Sequence, residues 1–183
     1  GEDGPDAESV INEIDATLEW SEVIAGKGLQ ALLDGLREPP MTSIPGLRAT
    51  LRPYQQRGVD WLYFCSRLGL GACLADDMGL GKTLQVIALL CIRAEETKGD
   101  RRTSLLIVPA SLIGNWCSEL ARFAPHLRIK VAHPSGASRA DLDALANDPH
   151  RAMRNCDVLL TTYGQWQRSS LLAEHDWDLV VID

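Results

Sequence analysis

The 183-residue chain has 45% hydrophobic and 23% charged residues, which is ordinary for a globular protein and sufficient for one domain with a small appendage. Its net charge of −7 is unevenly spread: residues 1–46 carry ten acidic and two basic side chains, whereas residues 47–183 carry fifteen and sixteen. Apolar runs such as residues 86–92 are too short to span a bilayer, and the average charge neither supports nor excludes a nucleic-acid partner.

The spacing of cysteine and histidine predicts neither a disulfide framework nor a zinc site. The five cysteines form no C-x-x-C pair and lie within apolar patterns, which predicts reduced core residues of an intracellular protein; they are Cys65, Cys73, Cys91, Cys117 and Cys156. The four histidines lack metal-ligand spacing, and the amino end carries no secretory signal pattern.

Residues 1–46 are predicted to form an acidic helical extension and a linker. Residues 1–7 are expected to be disordered, and apolar positions at helical spacing predict helices over residues 8–24 and 29–36. Each apolar stripe is too small to fold alone, so these helices are expected to pack on a neighbouring surface, with docking of a protein partner as the alternative. Prolines predict a linker at residues 38–46.

Strands and helices are predicted to alternate along residues 47–183. Short apolar runs predict strands at residues 71–75, 104–109, 127–132, 156–161 and 178–183. Helical spacing predicts helices at residues 53–67, 84–92 and 111–123, from residue 138 and after residue 162. The alternation predicts an α/β fold, with a parallel sheet sandwiched by helices and ligands bound at the carboxyl ends of the strands.

Individual positions in these helices are also predicted. In the first, which has Pro53 in its first turn, the inward side chains are expected to be Val59, Trp61, Leu62, Cys65 and Leu68. In the helix over residues 111–123, Ser111 is the expected N-cap, and the inward side chains are expected to be Leu112, Trp116, Leu120 and Phe123. Ser138 and Asp141 are expected to form a capping box.

The stretch Leu74-Ala-Asp-Asp-Met-Gly-Leu-Gly-Lys-Thr83 has the form of a phosphate-binding loop between a strand and a helix. Gly79 and Gly81 allow backbone N–H groups to approach phosphate oxygens, and the helix directs the positive end of its dipole to the same place. Lys82 would reach the β- and γ-phosphates, and the Thr83 hydroxyl would hold Mg²⁺. The strict pattern has glycine where this chain has Asp76, and a tight turn with a surface lysine is the alternative.

Side chains on either side of this loop suit the same ligand. The amide of Gln55 offers a donor and an acceptor to an adenine edge, and Arg52 and Tyr54 suit stacking and charge contacts with the base. Asp183 ends an apolar strand, where phosphate-loop ATPases place their Mg²⁺-binding acid; a strand that happens to end in aspartate is the alternative. The polar residues just beyond strand ends are expected to converge on one edge of the sheet: Lys82, Thr83, Ser111, Thr161, Thr162 and Asp183.

Residues 46–183 resemble the Swi/Snf-type ATPases, the double-stranded DNA translocases of helicase superfamily two. The resemblance lies in Leu51-Arg-Pro-Tyr-Gln55 with Gly58 and Trp61-Leu62 (the glutamine motif), Ala75-Asp-Asp-Met-Gly-Leu-Gly-Lys-Thr83 (motif I), Val108-Pro-Ala-Ser-Leu-Ile-Gly-Asn-Trp116 with Glu119 and Phe123-Ala-Pro125 (motif Ia), Thr161-Thr-Tyr163 (motif Ib) and Val180-Val-Ile-Asp183, the front half of motif II. Asp76 is normal in this family. The wording of motif I is closest to bacterial members, which implies a cytoplasmic, nucleoid-associated location, or a nuclear one if the source is eukaryotic.

The resemblance implies a RecA-like first lobe, truncated within motif II, that binds ATP and Mg²⁺ and faces a second lobe of the same protein. The implied nucleotide contacts are Arg52, Tyr54, Gln55, Asp77, Met78, Gly79, Leu80, Gly81, Lys82, Thr83 and Leu84, with Lys82 and Asp183 catalytic and Thr83 and Asp183 on the metal. Non-sequence-specific contacts to the backbone of double-stranded DNA are implied for Ser111, Asn115, Thr161 and Thr162. No membrane partner is expected.

The resemblance also implies that the chain alone binds nucleotide weakly and does not turn it over. The glutamate of motif II and the arginines of the second lobe are not in this sequence, and an arginine supplied in trans contributes about 10³–10⁵ in the rate of related phosphoryl transfers.

Three alternatives stay open at this stage. Arg122, Arg128 and Lys130 either add a positive field for DNA or form a solvated face, and the second is favoured. An RNA helicase lobe is a second reading of the function, disfavoured by Trp116 and by the wording of motif I. A non-catalytic nucleotide-binding or regulatory module is the third.

Overall fold

The computed structural model describes residues 43–97, 102–169, 172 and 174–183. The helices predicted over residues 8–24 and 29–36 and most of the predicted linker lie outside these residues. Within the described part of the chain, no helix is long and apolar enough to cross a membrane.

Strands alternate with helical segments from residue 104 onward, as predicted, whereas the helices Pro53–Arg67 and Lys82–Glu96 have no strand between them. The helices are α1 (Pro53–Arg67), α2 (Lys82–Glu96), α3 (Ile113–Phe123), α4 (Arg139–Asn147), α5 (Pro149–Ala152) and α6 (Tyr163–Arg168), with a 3₁₀ turn at Ala110–Leu112. The strands are β1 (Ser104–Ile107), β2 (Ile129–Ala132), β3 (Val158–Thr161) and β4 (Val180–Ile182). The capping box is confirmed, since the Ser138 side chain accepts a hydrogen bond from the Asp141 N–H at the start of α4.

Among the described residues, the sheet has four parallel strands in the order β2-β3-β1-β4. All residues of β1 and β3 are buried, as expected for central strands of a sheet that is covered on both faces. In the register, Ile107 of β1 is opposite Thr161 of β3 and Ile182 of β4. The carboxyl ends of these three strands therefore lie side by side at one edge.

Successive side chains of β1 face two apolar layers. Leu106 belongs to a cluster that includes Ile87 of α2 and Leu120 of α3. Leu105 belongs to a second cluster that includes Leu145 of α4. The two clusters place α2 and α3 on one face of the sheet and α4 on the other, and α1 packs on α2 through a further apolar contact. Helices therefore cover both faces, and the predicted α/β sandwich is confirmed.

The strand predicted at residues 71–75 is wrong. This segment forms no strand, and Gly71, Ala72 and Cys73 are exposed. Residues 70–74 and 179–183 line one cavity of about 500 Å³, so the segment does not pair with β4 and lacks the hydrogen-bonded neighbour that a strand requires. Cys73 is consequently an exposed thiol and not the core residue that was predicted; Cys65, Cys91 and Cys156 are buried.

The beginning of α3 also differs from the prediction. Ser111 lies inside the 3₁₀ turn, and Leu112 is the N-cap without any side-chain cap hydrogen bond. The helix therefore begins two residues later, and Ile113 is buried in place of Leu112, which is exposed. Leu68 is exposed as well, because α1 ends one residue before it.

An ion pair joins α2 to the segment that leads into β4. The Arg93 guanidinium donates to both carboxylate oxygens of Asp178, with Nε–Oδ2 and Nη2–Oδ1 distances of 3.0 and 2.5 Å. The Asp178 side chain is 3% exposed and that of Arg93 is 16% exposed. Donation of these hydrogen bonds to Asp178 raises the pKa of the Arg93 guanidinium, in agreement with a close bidentate pair.

We expect Asp178→Ala to lower the free energy of unfolding by about 3 kcal/mol, because it removes the buried carboxylate and leaves the largely buried Arg93 guanidinium with only its hydrogen bond to Glu96. The matched control is Asp176→Ala, which removes a carboxylate that is 78% exposed and lies 3.7 Å from Arg102; its effect should stay within about 0.5 kcal/mol. Denaturant unfolding of both variants measures the difference. Equal effects would contradict a structural role for the Arg93–Asp178 pair.

Candidate nucleotide-binding and DNA-contact site

The loop before α2 requires glycine at two positions. Gly79 and Gly81 have φ angles of 85° and 81°, in the left-handed region that disfavours other residues. A Cβ at Gly81 would lie 2.4 Å from Nε2 of Gln55. Gly81 is also the N-cap of α2, so the free N–H groups of the first turn of α2 begin directly after it.

The Lys82 ammonium lies against its own loop. It donates to the carbonyl oxygens of Asp76 and Asp77, at 2.6 and 2.9 Å. An ammonium has three N–H donors, so one is left for a ligand. The positive charge of Lys82 and the positive end of the α2 dipole are therefore close together at residues 79–83, which is the arrangement that attracts a phosphate group.

The amino end of α1 supports the same loop. Nε2 of Gln55 and the hydroxyl of Tyr54 both donate to the Leu80 carbonyl, at 3.0 and 3.1 Å. Oε1 of Gln55 accepts from the Arg52 N–H at 2.9 Å. These hydrogen bonds show that Gln55 and Tyr54 hold the loop in place. They use one donor and one acceptor of the Gln55 amide. Contacts of Arg52, Tyr54 and Gln55 with adenine stay a prediction.

Gln85 belongs to the site but was not singled out by the sequence pattern. It is 1% exposed, and its Nε2 donates to the Asp76 carboxylate at 3.2 Å. A Cβ at Gly58 of α1 would lie 1.9 Å from its Oε1, so α1 and α2 approach closely at this point. The sequence did contain a signal for Gln85, because it is an amide within the apolar run of α2. A buried polar side chain needs a nearby hydrogen-bond partner. Asp76, which replaces the glycine of the strict loop pattern, supplies that partner.

The predicted catalytic and metal-binding residues line one cavity. Lys82, Thr83 and Asp183 all border the cavity of about 500 Å³ described above, together with the indole of Trp116. Oδ2 of Asp183 accepts from Nε1 of Trp116 at 2.8 Å, and the main-chain oxygen of Asp183 accepts from the Tyr163 hydroxyl at 2.7 Å. The structure thus brings the phosphate-binding loop and the terminal acid to the same cavity.

The oxygen donors of Thr83 and Asp183 fit Mg²⁺. A hydroxyl and a carboxylate are hard ligands, and Mg²⁺ is usually held by one or two protein oxygens together with water and substrate phosphates. Among the described residues, no group of three or more histidine, cysteine, aspartate or glutamate side chains could hold a metal.

The residues implied in DNA contact divide into two pairs. Ser111 and Asn115 are exposed, in the 3₁₀ turn and the first turn of α3. Thr161 is fully buried and its hydroxyl donates to the Ala132 carbonyl, so the structure argues against a DNA contact by this side chain. Thr162 is 7% exposed and caps α6 by accepting from the Gln165 N–H.

Two of the three basic residues considered for a DNA field are engaged elsewhere. Arg128 pairs with Asp157 through two hydrogen bonds, and the ammonium of Lys130 donates to the Ala152 carbonyl. The guanidinium of Arg122 lies 4.8 Å from the ring centroid of Phe123. Whether these three cations form a solvated face, which is the favoured interpretation, or add a positive field for DNA stays a prediction.

A parallel α/β sheet, with a glycine-bearing loop before a helix and an acid at the end of an edge strand, is typical of the nucleotide-binding lobes of phosphate-loop proteins. The model of the SNF2-related domain matches residues 54–183. The chain therefore belongs to the SNF2-related family, and the resemblance recognised from its motifs is confirmed.

Curated relatives and solved structures agree with this family. The putative ATP-dependent helicase/translocase YwqA of Bacillus subtilis is 39% identical over 140 residues, which is 76% of this chain and 14% of that protein. The nuclear protein STH1/NPS1 of Saccharomyces cerevisiae is 39% identical over 135 residues, 73% of this chain and 10% of that protein. The Sulfolobus solfataricus SWI2/SNF2 ATPase core in complex with dsDNA has a TM-score of 0.63 and 40% identity, over 78% of this chain and 28% of that chain.

The chain thus spans 14% or less of the length of these two curated relatives. Its parallel sheet with flanking helices corresponds to part of the ATPase core in the solved structures, which include the same core domain at a TM-score of 0.62.

We expect alanine at the loop glycines to destabilise the fold in a definite order. Gly81→Ala should cost about 2–3 kcal/mol, because it adds left-handed strain and displaces Gln55 from its hydrogen bond to Leu80. Gly79→Ala should cost about 1–2 kcal/mol, since a Cβ there meets nothing within 4 Å and only the strain applies. Gly71→Ala is the control, with open space and no left-handed φ. Denaturant unfolding measures all three, and a neutral Gly81→Ala would contradict the described loop geometry.

Proposed function

We propose that the chain is the ATP-binding part of an ATP-dependent double-stranded DNA translocase, in which ATP hydrolysis is coupled to movement along DNA. The observation that carries this proposal is that Lys82, Thr83 and Asp183 border one cavity, although 100 residues of chain separate the last two. Family membership supports the proposal, since the similar proteins include the putative ATP-dependent helicase/translocase YwqA and a SWI2/SNF2 ATPase core in complex with dsDNA.

Each residue has a role that follows from its chemistry. Lys82 and the first N–H groups of α2 would bind the phosphates, and Gly79 and Gly81 let the backbone approach them. Mg²⁺, held by Thr83 and Asp183, would neutralise charge on the phosphates during transfer. Tyr54 and Gln55 would fix the loop while the base lies near Arg52. Leu84 and the exposed residues Asp77, Met78 and Leu80 complete the surface proposed to face the nucleotide.

Double-stranded DNA is proposed to contact Ser111 and Asn115, with Thr162 contributing through the start of the helix that it caps. Hydroxyl and amide groups hold phosphates without reading sequence, which suits movement along any duplex. A second lobe of the same protein would complete the ATP site. The location would be that of DNA, the cytoplasm of a bacterium or the nucleus of a eukaryote.

We expect Lys82→Ala to weaken binding of a fluorescent ATP analogue in the presence of Mg²⁺ by about 10- to 100-fold, the value of one lost hydrogen bond to a charged group. Lys130→Ala is the matched control, because that ammonium donates to the Ala152 carbonyl on another part of the surface. The affinity of this variant for the ATP analogue should equal that of the wild type. Fluorescence titration provides the dissociation constants. Equal affinity of Lys82→Ala and wild type would remove Lys82 from the mechanism and favour a non-catalytic module.

We expect Asn115→Ala to weaken binding of duplex DNA by about 2- to 10-fold, as for one neutral hydrogen bond. The loss should be the same for two duplexes of unrelated sequence, because the contact is to the backbone. Asn147→Ala, which removes an exposed amide at the end of α4, is the control. Fluorescence anisotropy at fixed salt measures the affinities; a preference for duplex RNA over duplex DNA would instead support the RNA helicase alternative.

A further inference from the structure

Two hydrogen bonds converge on Asp183 from different elements. The indole of Trp116, in α3, is 2% exposed and donates to the carboxylate oxygen Oδ2 over 2.8 Å. The hydroxyl of Tyr163, at the start of α6, donates to the main-chain oxygen over 2.7 Å. One bond thus holds the carboxylate and the other holds the backbone of the same residue.

The bond from Trp116 is energetically important for both partners. A buried indole N–H without an acceptor costs free energy, and the Asp183 carboxylate is the acceptor that the structure provides. A hydrogen bond to an ionised carboxylate is stronger than one between neutral groups. With Oδ2 occupied by Trp116, the second carboxylate oxygen, Oδ1, has a defined direction.

Packing alone does not fix this carboxylate. Asp183 directly follows the edge strand β4, in which Val180 and Ile182 are 46% and 66% exposed. The backbone of Asp183 is joined to the sheet by the hydrogen bond from its N–H to the Ile107 carbonyl at 3.0 Å. The side chain has no comparable restraint from β4, so its orientation depends on the indole of Trp116.

We propose that Trp116 is a positioning residue for the metal site, and that Tyr163 assists it by holding the backbone of Asp183. Trp116 itself does not touch the metal or the nucleotide; it orients the carboxylate that binds the metal. This inference rests on the proposed function, because it assumes that Asp183 takes a divalent cation together with a nucleotide bound at Lys82. Partners of this kind, which orient a metal ligand, typically contribute about 10- to 100-fold to metal affinity.

The test separates binding of the metal from binding of the nucleotide. For Trp116→Phe, which keeps a buried aromatic ring and removes the N–H, we expect the Mg²⁺ concentration for half-maximal binding of a fluorescent ATP analogue to rise by about 10-fold or more. Binding of the analogue in EDTA should equal that of the wild type. A role confined to stability would change both measurements together or neither.

Trp177→Phe is the matched control. It removes an indole N–H that also donates over 2.8 Å, but to the Leu172 carbonyl in another apolar cluster, and its Mg²⁺ requirement should equal that of the wild type. Tyr163→Phe removes only a hydroxyl from a residue that is 43% exposed, so it serves where Trp116→Phe does not fold. We expect it to raise the Mg²⁺ requirement by a smaller factor, about 2- to 5-fold, as for one neutral hydrogen bond.

The outcomes distinguish this inference from the proposed function. A wild-type chain whose nucleotide binding requires Mg²⁺ and Lys82, with folded Trp116→Phe and Tyr163→Phe variants of unchanged Mg²⁺ requirement, would overturn the positioning role and leave the proposed function in place. If Trp116→Phe does not fold, an unchanged requirement in Tyr163→Phe overturns it. A wild-type chain that binds no nucleotide would overturn the proposed function and this inference with it.

Discussion

Backbone pairing of β1 with both β3 and β4 is the constraint on which the rest of the lobe depends. The pairing is parallel on both sides, with Ile107 opposite Thr161 and Ile182, so three strands end at the same edge of the sheet. The segments that follow these ends carry the 3₁₀ turn before α3, the cap of α6 and Asp183. A polar site can form at this edge because the strands leave the apolar layers there and their connections reach solvent.

Side chains of the two neighbouring helices hold the loop that precedes α2. Gln55 and Tyr54 of α1 bind the Leu80 carbonyl, and Gln85 of α2 binds the carboxylate of Asp76. The two helices can both reach the loop because Gly58 allows their close approach. The loop conformation is thus a property of α1 and α2 together, and Asp76, which departs from the strict motif, contributes a contact that glycine would lack.

Much of the fold was predictable from the sequence because β1 and β3 are buried on both faces and the helices have one apolar side. The strand predicted at residues 71–75 was wrong because an apolar run becomes a strand only beside a paired neighbour, and pairing is not encoded locally. The predicted first residue of α3 was wrong because a 3₁₀ turn precedes the helix, which begins two residues later. As a result, Ile113 is buried and Leu112 is exposed. For Thr161 the sequence showed a hydroxyl at a strand end, but its burial depends on β2, which pairs beside it.

Asp183 shows most clearly what geometry adds to a motif. In the sequence it is an aspartate at the end of an apolar strand, and a strand that happens to end in aspartate is the alternative to a metal-binding acid. In the structure its carboxylate borders the same cavity as Lys82 and accepts a charge-assisted hydrogen bond from the buried indole of Trp116. Trp116 is itself a core residue of α3, so the same side chain that packs α3 against the sheet also orients the acid. Stability and function therefore share this residue, and only a substitution that keeps the ring and removes the N–H separates the two.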